Sequence, residues 1–348
     1  MEIRNLPKLV ENLQNRYKKL FYRFYELHEF EAKLKLSKGM EEWIERIFKS
    51  KEIVENQKII SIKNKFTKEH AIYNELRGKR PKTEVKMDLR ELVKKRDCVF
   101  CNPEKRTPQD LFGRIKGKYC LTASNIAKYN YFHGIIIFKE HNPLKLKKQW
   151  LKDYFEVAEK WFKKVEEVER EARYNFLLWN CLWKGGASIV HGHMQLTSSK
   201  FKYGKVELLE QISEKYKRKY NSDYFLDLFK IHKKLGIGGK TGKTHILFYL
   251  TPVKERELFI FSKEKKLANL HEVIYEIIKN YLKLNVFSFN MAMFKIGNYW
   301  ISRITDRGKL NERHSDIGAL ELYGASVISS DPFKLAKYFE KHGFHFGN

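Results

Sequence analysis

Residues 180–195 read Asn-Cys-Leu-Trp-Lys-Gly-Gly-Ala-Ser-Ile-Val-His-Gly-His-Met-Gln, and this stretch constrains the chain more than any other. His191, His193 and Gln195 alternate with Gly192 and Met194, and an apolar run, Phe176 to Trp179, leads in. Such alternation, interrupted by Gly185-Gly186-Ala187-Ser188, predicts strand, glycine-rich turn, strand. Side chains two apart on a strand point the same way, so the two histidines and the glutamine are expected to line one face. Two imidazoles placed so can both bind a metal. Alternatively, one binds metal while the other attacks phosphorus, since a neutral imidazole is a competent nucleophile near neutral pH. The N–H groups of the 185–188 turn are then expected to receive phosphate oxygens.

With 348 residues the chain can bury a large core, as one domain or two. It holds no apolar run of roughly 18 residues, so no membrane span is expected. The first residues lack the apolar core of a secretory signal, and four cysteines are too few for a disulfide framework; a cytoplasmic, reducing location is expected. The net charge of +27 suggests a nucleic-acid partner at first sight. Yet the basic residues are dispersed and interleaved with glutamate, as in residues 163–170, which suits a thermophile's surface and the attraction of small anionic substrates.

Leu6, Leu9, Val10, Leu13, Tyr17, Leu20, Phe21 and Phe24 recur at helical spacing, and Trp43, Ile44, Ile47 and Phe48 resume it, so residues 1–70 are expected to form a helical extension broken at Gly39. A basic patch follows in which Arg77 and Arg80 precede Pro81; it is either a solvated loop or a phosphate clamp. Cys98 and Cys101 form a C-x-x-C pair. Asn102-Pro103 directly after it opposes the helix a redox pair needs, and a zinc knuckle requires two more ligands, which have to be histidines because no second such pair exists. His141 ends a buried-looking strand, whereas His133 reads as structural. A helix is expected over 146–173. Residues 236–244 resemble a P-loop, but Ile237 stands where the motif needs glycine, so a hairpin loop is the better reading. The order strand, turn, long helix, strand, turn, strand recurs after residue 258, with Tyr299 to Arg303 in place of the histidine strand; this suggests an internal duplication.

The spacing of Asn180, Gly186, Ser188, His191, His193 and Gln195 resembles the active-site segment of the galactose-1-phosphate uridylyltransferase family, in the histidine-triad superfamily. Arg77-x-x-Arg80-Pro81, Cys98-x-x-Cys101 and Phe138-Lys139-Glu140-His141 resemble further family motifs in the same order. The resemblance covers roughly residues 75–200. It implies an α+β protein of two histidine-triad-like halves, antiparallel sheets packed by helices, divided here as 71–204 and a degenerate 205–348, with 1–70 as the helical extension. It also implies a nucleotidyltransferase in which His193 attacks the α-phosphorus of a nucleoside-diphosphate sugar. The resulting nucleotidyl-histidine passes to a sugar phosphate in a ping-pong cycle. Gln195 bridges phosphoryl oxygens where hydrolytic relatives carry a third histidine; Asn180, Gly186 and Ser188 contact phosphates; Arg77 and Arg80 hold the nucleotide end. Cys98, Cys101, His141 and His191 make one structural Zn2+ site. Gly192 stands for the family's proline and is expected to loosen the strand, and no second metal site is offered. The base and sugar stay open, and a homodimer is compatible with the chain. The enzymatic rival is a dinucleoside polyphosphate or nucleotide-sugar phosphorylase using inorganic phosphate. A zinc-stabilised nucleic-acid-binding protein ranks third.

Overall fold

A computed structural model describes residues 1–94, 97–128, 130–313 and 315–344. Its centre is a nine-stranded sheet made of β4 (Cys120–Ser124), β5 (Phe132–Phe138), β6 (Tyr174–Cys181), β7 (His193–Ser199), β8 (Gly238–Thr241), β9 (Thr244–Phe248), β10 (Leu258–Ser262), β11 (Phe289–Ile296) and β12 (Tyr299–Asp306). The strands lie in the order β4-β5-β7-β6-β11-β12-β10-β9-β8. Read outward from the middle, β6-β7-β5-β4 and β11-β12-β10-β9 repeat one arrangement, as a duplication requires. The two halves do not separate into independent sheets. They join through antiparallel pairing of β6 with β11, where Asn180 stands opposite Asn290 and the Phe176 and Phe294 rings stack at 5.4 Å. The fold is α+β.

The sheet has two different faces. On one, Phe138, Met194 and Leu196 are buried with the long helix Lys148–Val168, whose Leu151, Tyr154, Phe155, Ala158, Trp161, Phe162 and Val165 keep a three- and four-residue spacing. Gly134 lets that helix come close: a Cβ there would lie 2.8 Å from the Trp161 ring. The opposite face carries His193 and Gln195, and it is walled by the helix Gly204–Tyr220. Residues 236–244 form the β8–β9 hairpin, and no helix follows them, so the P-loop reading is set aside.

Residues 1–70 depart from the helical expectation. Helices Asn15–Phe24 and Glu41–Phe48 form where the spacing put them, but β1 (Tyr25–Lys33) and β2 (Asn56–Asn64) lie between and after them. With β3 (His70–Tyr73) and β13 (Ser326–Ile328) they make a second sheet, β1-β2-β3-β13. The helical period stops at Phe24, and β-branched residues such as Ile59, Ile60 and Ile62 favour a pleated surface. This sheet docks on the second half. Tyr73 Oη donates to the Leu250 carbonyl at 3.0 Å and Tyr249 Oη to Glu69 at 2.8 Å. Arg303 bridges the layers, bonding Glu69 through Nη1 and Glu257 through Nε. No helix among the described residues is long and apolar enough to cross a membrane.

The Glu257 carboxylate is only 1% exposed, and burial raises its pKa against the pull of Arg303. Removing the guanidinium leaves that charge buried without a counter-ion, held by the Val253 N–H at 2.6 Å. Arg303→Met is expected to cost about 3–5 kcal/mol, read as a lower urea midpoint at unchanged slope.

Candidate active site

The histidine strand is organised from its first turn. Just before β7, His191 donates from Nε2 to the Phe138 carbonyl at 2.7 Å. A carbonyl only accepts, so the proton sits on Nε2 and Nδ1 keeps its lone pair. That nitrogen faces Cys98 Sγ at 3.4 Å and Cys101 Sγ at 3.7 Å. His141 Nδ1 lies 3.3 Å from Cys101 Sγ and 3.9 Å from Cys98 Sγ, and the two sulfurs are 3.5 Å apart. All four donor atoms fall within 4.8 Å of one another. A tetrahedron with bonds of about 2.3 Å to sulfur and about 2.0 Å to nitrogen has edges of about 3.3–3.8 Å. The five edges that include a sulfur, at 3.3–3.9 Å, match this closely, so the donor set suits a single metal ion. Burial lowers the His191 pKa to about 4, keeping the imidazole in the neutral form that a ligand needs.

His193 is held differently. Its Nδ1 lies 2.8 Å from the carbonyl of His191, which places the proton on Nδ1 and the lone pair on Nε2. Burial lowers its pKa as well, so the ring is neutral. Phe100, inside the C-x-x-C pair, meets the His193 and His191 rings edge-on at 5.2 and 5.9 Å. The knuckle thus braces both imidazoles.

Gln195 shares the face of His193, pairing across β5 with Ile135 and across β6 with Leu178. Its Oε1 lies 2.9 Å from Nε2 of His133. His133 is buried, and the diagonal pairing of β5 and β7 brings it to Gln195. Asn180, two residues past Leu178, lies on the same face, level with His193. It lines a cavity of about 740 Å³ together with Phe176, Leu178, Thr197 and Asn290.

The 185–188 turn is tighter than expected. Leu182 and Gly186 take positive φ, and the N–H groups of Gly185, Gly186 and Ala187 bond to Ser288 Oγ, Trp183 O and Leu182 O. Closing so sharp a reversal turns these three donors inward, away from the anion-binding use expected of them. The expected loosening at Gly192 is also corrected. A Cβ there would lie 2.4 Å from the Phe138 ring, which stacks on Tyr154 at 4.0 Å, and the Gly192 N–H bonds to the His141 carbonyl at 3.0 Å. Glycine is what lets the strand close on the knuckle. Arg77 and Arg80 stand apart: they follow β3 in and after the short helix Glu75–Lys79, where Arg80 Nε bonds the Arg77 carbonyl, and neither lines the cavity at Asn180.

No family model matches the chain. An uncharacterized protein of Archaeoglobus fulgidus is 25% identical over 233 residues, 60% of this chain and 68% of that one. An ADP-glucose phosphorylase from Arabidopsis thaliana, solved with ADP-glucose bound, aligns over 80% of this chain and 97% of its own, with TM-score 0.59 and 13% identity. A uridylyltransferase aligns over 81% and 98%, with TM-score 0.57 and 13% identity. A GalT-like protein from Arabidopsis thaliana gives 70% and 91%, TM-score 0.56 and 14% identity. The chain has the uridylyltransferase fold. At this identity the likeness carries the fold, and the chemistry rests on the side chains.

The cluster makes a direct prediction. The purified protein should hold one divalent ion per chain by elemental analysis. His141→Ala should lose it and melt at a lower temperature, and chelation of the wild type should reproduce that fall.

Proposed function

We propose that the protein is a nucleotidyltransferase that acts on a nucleoside-diphosphate sugar through a covalent intermediate on His193. The observation that carries this reading is the pinned tautomer: the His191 carbonyl holds the Nδ1 proton of His193, so Nε2 presents a lone pair on the face shared with Gln195 and Asn180. In the first half-reaction that lone pair attacks the α-phosphorus. The bond from phosphorus to the bridging oxygen breaks, and its electron pair leaves with the sugar 1-phosphate. The imidazolium formed keeps its Nδ1–H on the carbonyl, which favours the positive ring. In the second half-reaction a phosphate oxygen of the acceptor attacks the same phosphorus, and the P–N bond returns its pair to Nε2. Gln195 would bridge phosphoryl oxygens, and Asn180, Gly186 and Ser188 would line the phosphate path. Arg77 and Arg80 receive no role at this cavity.

Cys98, Cys101, His141 and His191 would hold zinc, since two thiolates and two imidazoles are its usual closed structural set. With all four positions filled by protein, the ion orders the strand and offers no open position to a substrate. Cys120 and Cys181 are buried free thiols, in keeping with the reducing, cytoplasmic setting proposed here. Phosphorolysis is a second reading, favoured by the fold shared with ADP-glucose phosphorylase; the acceptor would then be inorganic phosphate.

Incubation with labelled UDP-glucose or ADP-glucose should leave an acid-labile, base-stable label on His193. His193→Ala should lower turnover by at least about 10³-fold. Discharge of the label by a sugar phosphate supports transfer, and discharge by inorganic phosphate supports phosphorolysis. Absence of label with every nucleotide sugar tried would sink the covalent mechanism. Gln195→His should shift the intermediate toward hydrolysis, measured as nucleoside monophosphate released without acceptor.

A further inference from the structure

Asn290 lies on β11, in the half without the histidine motif, and it reaches the phosphate turn of the other half. Its Nδ2 donates to Oδ1 of Asn180 at 2.7 Å and to the carbonyl of Gly185 at 2.6 Å. Its Oδ1 accepts from Nη1 of Arg307. Arg307 is itself held by Asp316, with Nε–Oδ2 at 2.6 Å and Nη2–Oδ1 at 2.9 Å. Ser288, just ahead of the strand, takes the Gly185 N–H at 2.8 Å and donates to the Cys181 carbonyl at 2.7 Å.

The direction of every bond in this chain follows from chemistry. A carboxamide's oxygen and nitrogen have nearly the same shape, so its orientation is read from its partners. A guanidinium only donates, and a backbone carbonyl only accepts. Asn290 has one of each: Arg307 faces its oxygen and Gly185 O faces its nitrogen. The two N–H groups of Asn290 are thereby committed, one to Gly185 and one to Asn180. Asn180 must then offer its oxygen to Asn290, which leaves its NH2 as the group it can present to the cavity that it lines.

We propose that Asn290 is a positioning residue for phosphate recognition: through Arg307 and Asp316 it sets the polarity of the Asn180 carboxamide and occupies the Gly185 carbonyl. This wall of the cavity then meets an anionic phosphate with donors. Substrate identity rests on the nucleotidyl-transfer reading, but the polarity of the wall does not. The second half therefore takes part in substrate binding through a residue on β11.

Calorimetric binding of ADP and UDP tests this with wild type, Asn290→Asp, Asn180→Ala and the double variant. Aspartate keeps the shape and still offers oxygen to Arg307, but it opposes oxygens to Gly185 O and to Asn180 Oδ1. The Asn180 amide then rotates and presents its oxygen to the phosphate. Asn290→Asp should bind nucleoside diphosphate about tenfold more weakly, and the double variant no more weakly than Asn180→Ala alone. Additive losses, or wild-type affinity in Asn290→Asp, overturn the proposal. If Asn290→Asp does not fold, Asn290→Ala removes the clamp without opposing oxygens; it should bind several-fold more weakly, and wild-type affinity there overturns the proposal too. A wild type that binds ADP but takes no label on His193 refutes nucleotidyl transfer and leaves this test intact. A wild type that binds neither nucleotide overturns both.

Discussion

The imidazole of His191 donates from Nε2 to the carbonyl that ends β5 and turns Nδ1 to the two cysteines, while its own carbonyl takes the Nδ1–H of His193. Three parts of the chain meet at this residue: the end of β5, the knuckle around Phe100, and the start of β7. The tautomer of His193 follows from the position of one carbonyl, which in turn depends on the ring being held at both ends. A metal ion among Cys98, Cys101, His141 and His191 would act at this point. It would order the loop and strand starts around His193.

The sheet makes a second connection of the same kind. Antiparallel pairing of β6 with β11 sets Asn180 opposite Asn290 and brings Ser288 against Gly185. The second half carries no His-x-His motif, yet its Ser288 and Asn290 bond Gly185 in the turn of the first. In the same half, Arg303 joins Glu257 to Glu69 of the N-terminal sheet.

Much of the architecture was legible in the sequence. The amphipathic helix at 148–168, the repeated order of strands and helices, and the hairpin at 238–248 follow from local period and turn residues. The metal quartet was legible only through resemblance, because Cys98 and His191 lie far apart in the chain and no spacing rule links them. The strands in residues 25–64 were missed because helical periodicity on both sides was carried across them. The inward-turned N–H groups of residues 185–187 were missed as well. A glycine-rich turn looks the same in sequence whether its donors close the turn or receive an anion.

The sequence by itself determined which residues alternate, where the long amphipathic helix lies, and that His193 and Gln195 share a strand face, whereas His191 falls just before that strand. These depend on neighbours in the chain and on the steric preferences of each residue. Only the tertiary structure decided what each polar atom faces. His133 against Gln195, Asn290 against Asn180, and the Phe138 ring against Gly192 arise from strand register and layer packing. A hydrogen bond's direction is settled by the partner across the gap, and that partner is chosen by the fold.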